Sequence, residues 1–125
     1  MLSTAPVSPT IPVVDLERAK AFYIDKLGLK LAGENPGGAT IEAGGGSTIL
    51  LFPRAEATKA EHTVAGFYVA DVEAEVAALR AKGIVFEDID MPGLKTENGI
   101  AHIGPFKAAW FKDTEGNILG VGDVR

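Results

Sequence analysis

Few residue types in this chain can carry chemistry. There is no cysteine, so thiolate catalysis, disulfides and Cys-based zinc or iron–sulfur sites are excluded. His62 and His102 are the two histidines. His102 stands in "GIAHIGPF", after a long segment, 90–99, that reads as a loop and as a flap over a cavity mouth. A histidine exchanges a proton near neutral pH, which makes His102 a candidate general acid or base. The competing reading is a solvated residue on a loop or strand edge. No nucleophile or orienting carboxylate is anchored near it in sequence, which favours that second reading. Tyr68 is the other acid–base candidate, and Glu42 is a carboxylate on a strand-like run. Trp110, the single tryptophan, offers a stacking surface for a planar compound or a packed core residue. "GGG" at Gly44 to Gly46 is followed by no Lys-Ser/Thr and opens no helix, so it is a hairpin turn and not a phosphate loop.

These residues must be positioned by elements that the pattern makes legible. "VSPTIPVV" (Val7 to Val14) alternates and reads as a strand, with prolines that suit a strand start or an edge. Asp15 offers a helix N-cap for "LERAKAFYIDKLG", and Gly28 a C-cap. "LKLAGE", "GATIEAG" and "STILLFPR" read as three strands separated by glycine-rich turns. Residues 55–61 read as a linker. Then the grammar repeats: "TVAGFYV" as a strand, Asp71 as the N-cap of "VEAEVAALRAKG", "IVFEDI" as a strand, and "KAAWFK" plus "NILGV" as a closing hairpin. "VVDLERAKAFYIDKLG" (13–28) aligns with "VADVEAEVAALRAKG" (69–83), one residue shorter. Two copies of strand, cap, helix and three strands are an internal repeat. Module one spans about residues 7–54 and module two about 62–125, together one domain over 1–125, because neither half alone can bury its sheet.

The bulk properties narrow the function. Hydrophobic residues make up 46%, enough for a core, and the net charge of −5 without a basic stripe argues against a nucleic-acid partner. No apolar run reaches membrane-spanning length, so no membrane partner is expected. No targeting segment is evident at the N-terminus, and the default location is cytoplasmic.

"IPVVDLERAKAFYIDKLGLKL" and "AWFKDTEGNILGV" together resemble the vicinal oxygen chelate superfamily, which includes glyoxalase I, extradiol dioxygenases and bleomycin-resistance proteins. The resemblance covers nearly the whole chain. It implies an α+β fold of paired βαβββ modules that form a half-open barrel around a cavity, and a homodimer. Metal-using members place one ligand on each of four strands. Counting from the local motifs, those positions fall on Ser8, Val64, Leu51 and Gly120. One serine does not make a divalent metal site, so no metal and no cofactor are expected. A slip of one residue does not change this, since Leu50, Phe52, Leu119 and Val121 are the neighbours.

The resemblance also puts Trp110, three residues before the D-x-x-G turn, on the cavity wall. By the period of two, Thr10 accompanies Ser8, Gly66 and Tyr68 accompany Val64, and Ile118 accompanies Gly120. The candidate ligand-binding set is therefore Ser8, Thr10, Leu51, Val64, Tyr68, Trp110, Ile118 and Gly120. The expected function is metal-independent binding, in its concrete form sequestration, of a small, partly aromatic organic molecule. The alternatives are a glyoxalase-like lyase or dioxygenase, or a cofactor-free enzyme using His102 or Tyr68. A third reading is a cavity filled by Trp110 in a purely structural or regulatory protein.

Overall fold

The structure is a computed structural model that describes residues 1–123. The chain is α+β and divides into two compact units, Met1–Thr58 and Lys59–Arg125.

The first unit opens with a single helical turn, Leu2–Thr4, and then strand β1, Thr10–Val13. Asp15 caps α1, Leu16–Ala21, by accepting a hydrogen bond from the Arg18 N–H at 3.0 Å. The helix continues as a π-turn, Phe22–Lys26, closed by Leu27 N–H donating to the Phe22 carbonyl. Tyr23 on that turn is fully buried, edge-on to Phe22 at 5.6 Å. Gly28 then takes φ +73, which favours glycine, and ends the helix. Strands β2 (Lys30–Asn35), β3 (Gly38–Glu42) and β4 (Thr48–Pro53) follow, in the order β1-β4-β3-β2. β1 runs parallel to β4, and the other pairs are antiparallel. Register puts Ile11, Leu51 and Ala39 in one row and Ile49 and Ile41 in the next. All five are buried on the face packed by α1. Each leucine or isoleucine side chain buried there stabilises the unit by roughly 1.5–3 kcal/mol.

The second unit repeats this plan and extends it. β5, Thr63–Tyr68, leads to α2, Val72–Ala81, whose cap Asp71 accepts from the Ala74 N–H at 3.0 Å. β9 (Phe106–Lys112) and β10 (Ile118–Gly122) form the closing hairpin. With β6 (Asp90–Met91), β7 (Leu94–Glu97) and β8 (Ile100–Ile103), the sheet has six strands, β5-β10-β9-β8-β7-β6, with β5 parallel to β10. Val72, Val76 and Leu79 of α2 pack over Phe111, Ala109, Leu119 and Val121.

Residues 84–103 depart from the expectation. "IVFEDI" forms no strand; only an isolated bridge, Phe86 to Phe111, is made there. The segment 90–99, read as a loop, instead holds β6 (Asp90–Met91) and β7 (Leu94–Glu97), followed by β8 (Ile100–Ile103). The cause is turn chemistry. Gly93 takes φ +82, Asn98 φ +54 and Gly99 φ +80, so Pro92-Gly93 and Asn98-Gly99 fold short alternating runs into hairpins.

Candidate functional site

The second unit's sheet has two faces, and register assigns the residues to them. Trp110 pairs with Gly120 on β10, and Gly120 pairs with Gly66 on β5. Ala108, Gly122 and Tyr68 form the adjacent row. These six residues, with Ile118 and its partner Thr63, lie on the face away from α2; Val64 falls at the bulge between the Ile118–Thr63 and Leu119–Ala65 pairs, where the period of two is interrupted. The opposite face is fixed by Lys107, whose Nζ pairs with Glu73 of α2.

On the open face the indole lies over Gly120. A Cβ at position 120 would stand 3.3 Å from both Cδ1 and Nε1 of Trp110, and 3.6 Å from Cγ2 of Thr63. Only a bare backbone gives the ring ordinary contact distance there. One strand further on, a Cβ at Gly66 would meet nothing within 4 Å. The surface beside the partly exposed indole is thus open peptide backbone, flanked by Tyr68, which is 63% exposed. On its far side β9 is held by the Glu87 N–H, which donates to the Trp110 carbonyl at 2.7 Å. The rings of Phe86 and Phe111 meet at 5.4 Å on the α2 face. Trp110 is therefore anchored through its backbone while its ring lies on the other face.

His102 is elsewhere. It pairs with Lys107 on β8–β9 and so shares the α2 face, exposed, on the opposite side of the sheet from Trp110 and Tyr68. This separates the two acid–base candidates, His102 and Tyr68, by the thickness of the sheet.

In the first unit, register corrects one assignment. Ser8 and Thr10 belong to the row-set of Thr48 and Leu50: Thr10 pairs with Leu50, and the Ser8 hydroxyl donates to the Thr48 carbonyl while accepting from Thr48 Oγ1 at 3.0 Å. Leu51 pairs with Ile11, faces α1 and is fully buried. It cannot share a surface with Ser8 and Thr10. Aligning Val13-x-Asp15 with Val69-x-Asp71 makes Thr10 the counterpart of Gly66 and Leu50 the counterpart of Gly120. Strand β4 carries no motif of its own from which to count, so sequence alone missed Leu50 by one residue. Glu42 is exposed and pairs with Thr48, on the same face as Ser8.

The D-x-x-G-N turn between β9 and β10 is a buried polar knot. Asp113 Oδ1 accepts from the Glu115 and Asn117 N–H groups, each at 2.8 Å, and Oδ2 accepts from Asn117 Nδ2 at 2.9 Å. Gly116 supplies φ +89. The motif therefore aims the β9–β10 hairpin and with it Trp110; its carboxylate is committed to the turn.

The fit of a divalent metal is decided by donors. With the corrected position, the four places hold Ser8, Leu50, Val64 and Gly120, which supply one hydroxyl, already bonded to Thr48. Among the described residues no three His, Asp or Glu side chains come together. A divalent ion takes several nitrogen or oxygen ligands, and these residues do not fit it. Among the described residues, no helix is long and apolar enough to cross a membrane.

Comparison with known proteins agrees with this architecture. No curated protein matches the chain in sequence. Three solved structures illustrate the range of similar folds. A lactoylglutathione lyase from Agrobacterium tumefaciens is 24% identical, with 95% of this chain and 92% of that one covered and a TM-score of 0.66. TnmS3, an antibiotic binding protein from Streptomyces sp. CB03234, is 22% identical over 97% and 96%, with a TM-score of 0.62. The oxidase ChaP-H2 is 19% identical over 98% and 95%, with a TM-score of 0.72. At these identities the likeness is one of fold, and the three names span different activities. Residues 5–121 match the family model of the Glyoxalase/Bleomycin resistance protein/Dioxygenase superfamily, and the chain belongs to that superfamily.

Proposed function

We propose that this member of the Glyoxalase/Bleomycin resistance protein/Dioxygenase superfamily binds a small, planar, partly aromatic organic molecule on the Trp110 face, without a metal, and sequesters it. The observation that carries the reading is the pairing of Trp110 with Gly120, next to the open backbone of Gly66. A flat molecule can lie on bare peptide there with its edge or face against the indole, an arrangement worth about 0.5–1.5 kcal/mol beyond area burial. Tyr68 shares the face and supplies a hydroxyl for orientation. The description of TnmS3 as an antibiotic binding protein supports a binding role within the same fold. The net charge of −5 favours a cationic ligand over an anionic one.

In this reading the protein acts as a homodimer with one binding face per chain. The rival is cofactor-free catalysis with Tyr68 as the proton-transfer group. His102 has no part in it, because it lies on the other side of the sheet. Metal-dependent lyase or dioxygenase chemistry finds no donor set in Ser8, Leu50, Val64 and Gly120.

The test uses Trp110 as its own reporter, since it is the single tryptophan. Titration with planar tricyclic probes, beginning with cationic proflavine, is expected to quench indole fluorescence saturably. Calorimetry on Trp110→Ala is expected to show at least tenfold weaker binding. Lack of saturation across cationic and neutral planar probes would sink the reading. Retention of one tightly held divalent ion per chain after loading and desalting would restore the metalloenzyme.

A further inference from the structure

The extra hairpin of the second unit is held by its ladder to β8 and by the mutual hydrogen bonds of Thr96 and Ile89, and α2 grips the turn at its end. β6 packs chiefly on β7, and β7 on β8, at the end of the sheet. The turn that joins β7 to β8, Asn98-Gly99, is gripped by α2. Arg80 Nη2 donates to the Asn98 carbonyl at 2.8 Å, and the guanidinium lies over the Phe86 ring, 5.5 Å from its centroid. A Cβ at Gly99 would stand 2.6 Å from Arg80 Nη2 and 3.1 Å from Phe86 Cβ, so the grip closes only on glycine. Phe86 in turn bridges Phe111, and Glu87 holds the Trp110 carbonyl. Register carries Trp110's face outward along the sheet through Ala101 and Thr96 to Leu94 and Met91.

We infer that Arg80 is a latch on the β7–β8 turn, and that the β6–β7–β8 edge of the sheet behind it is the movable rim of the Trp110 face, controlling entry and release of the bound molecule. The role in release rests on the binding function proposed above; the latch itself does not. Arg80 is exposed at the end of α2, so its removal leaves the buried face of the helix intact. An arginine that donates a hydrogen bond and also covers a ring has no equal in lysine, which lacks the planar fork.

Hydrogen exchange on the ligand-free protein tests the latch. In Arg80→Ala the amides of residues 94–100 are expected to exchange about tenfold faster, from the loss of one charge-assisted hydrogen bond and one cation–π contact. Amides of β9 and β10 are expected to hold their rates, and Arg80→Lys to fall between. Unchanged exchange over 94–100, or acceleration spread evenly through the unit, overturns the latch. Stopped-flow release of proflavine is expected to quicken several-fold in the same variant. Loosened exchange with unaltered release overturns the gating role. Failure of proflavine to bind the unsubstituted protein is a failure of the proposed function, and it leaves the exchange result standing on its own.

Discussion

The two units fill the same backbone rows with very different residues. In the first, the open row reads Thr40, Leu50, Thr10 across β3, β4 and β1. In the second, the counterpart row reads Trp110, Gly120, Gly66 across β9, β10 and β5. One face is covered by branched and hydroxyl-bearing side chains that suit a strand. The other has two adjacent side chains missing and the single tryptophan beside the gap. Glycine within a strand destabilises by about 0.5–1 kcal/mol relative to alanine. A sheet optimised only for stability would not concentrate glycine at positions 66, 120 and 122. The contrast teaches that one backbone repeat can carry two very different surfaces, and the function proposed above assigns the binding face to the second copy.

The closing hairpins differ in the same sense. The β3–β4 turn is exposed and glycine-rich, held by Ser47 donating to the Gly44 carbonyl at 2.7 Å. The β9–β10 turn is built on the buried Asp113. Asp113→Ala leaves two backbone N–H groups and one amide without their acceptor, and should cost about 3–4 kcal/mol. Ser47→Ala should cost less than about 1 kcal/mol. Urea unfolding of both variants checks the pair, and equal losses would remove the distinction between the turns.

A subtler substitution separates stability from binding. Gly66→Val places a side chain where a Cβ meets nothing within 4 Å. The folded protein should be unharmed, or steadier by about 0.5–1 kcal/mol, because valine suits a strand. Binding on the Trp110 face should fall at least tenfold, because the flat surface is interrupted. Thr10→Val, at the matching place in the first unit, should leave binding unaltered. Melting curves and probe titrations on both variants decide the matter; undiminished binding by Gly66→Val would show that the ligand does not use the bare strip.

The smallest expected effect concerns the lysine that each unit holds in its charged form. Hydrogen bonds that Lys20 donates to Glu17 and then to Glu34 raise its pKa, and one that Lys107 donates to Glu73 raises that of Lys107. A raised lysine pKa stabilises the fold fully below the ordinary lysine value, 10.5, and that contribution disappears as pH climbs through the folded-state value. Stability should therefore slope downward above about pH 10.5 in the parent. Glu73→Gln should flatten the part contributed by the second unit, and Glu34→Gln a part of the first. Denaturant midpoints between neutral and strongly alkaline pH check this, and parallel pH profiles in parent and variants would contradict it.

Much of the architecture was legible because local chemistry dictates it. Asp15 and Asp71 are caps in the sequence pattern and accept from N–H groups three residues on in the structure. The repeat of V-x-D fixed the equivalence of the two halves. Alternation put Gly66 and Tyr68 on one face of β5, and pairing with β10 joins that face to Gly120 and Trp110, while the bulge at Val64 was not legible. Illegible parts were those where a signal was short or had no anchor. Leu51 was one residue out because β4 has no motif from which to count. Asn98-Gly99 is a strong hairpin signal, yet its flanking runs are too brief to announce β7 and β8.

Composition and pattern by themselves determined the α+β repeat, the lack of thiol chemistry, and the poverty of metal donors at the positions the family uses. Those are properties of residue identity and period, and they hold whatever the strands pair with. Only the tertiary structure decided that the Trp110 ring lies over Gly120, that His102 stands on the other side of the sheet, and that Arg80 closes on the Asn98-Gly99 turn. Each depends on which strands are neighbours and in what register, which is set by contacts between segments distant in sequence. A shift of one residue in that register turns every side chain to the other face.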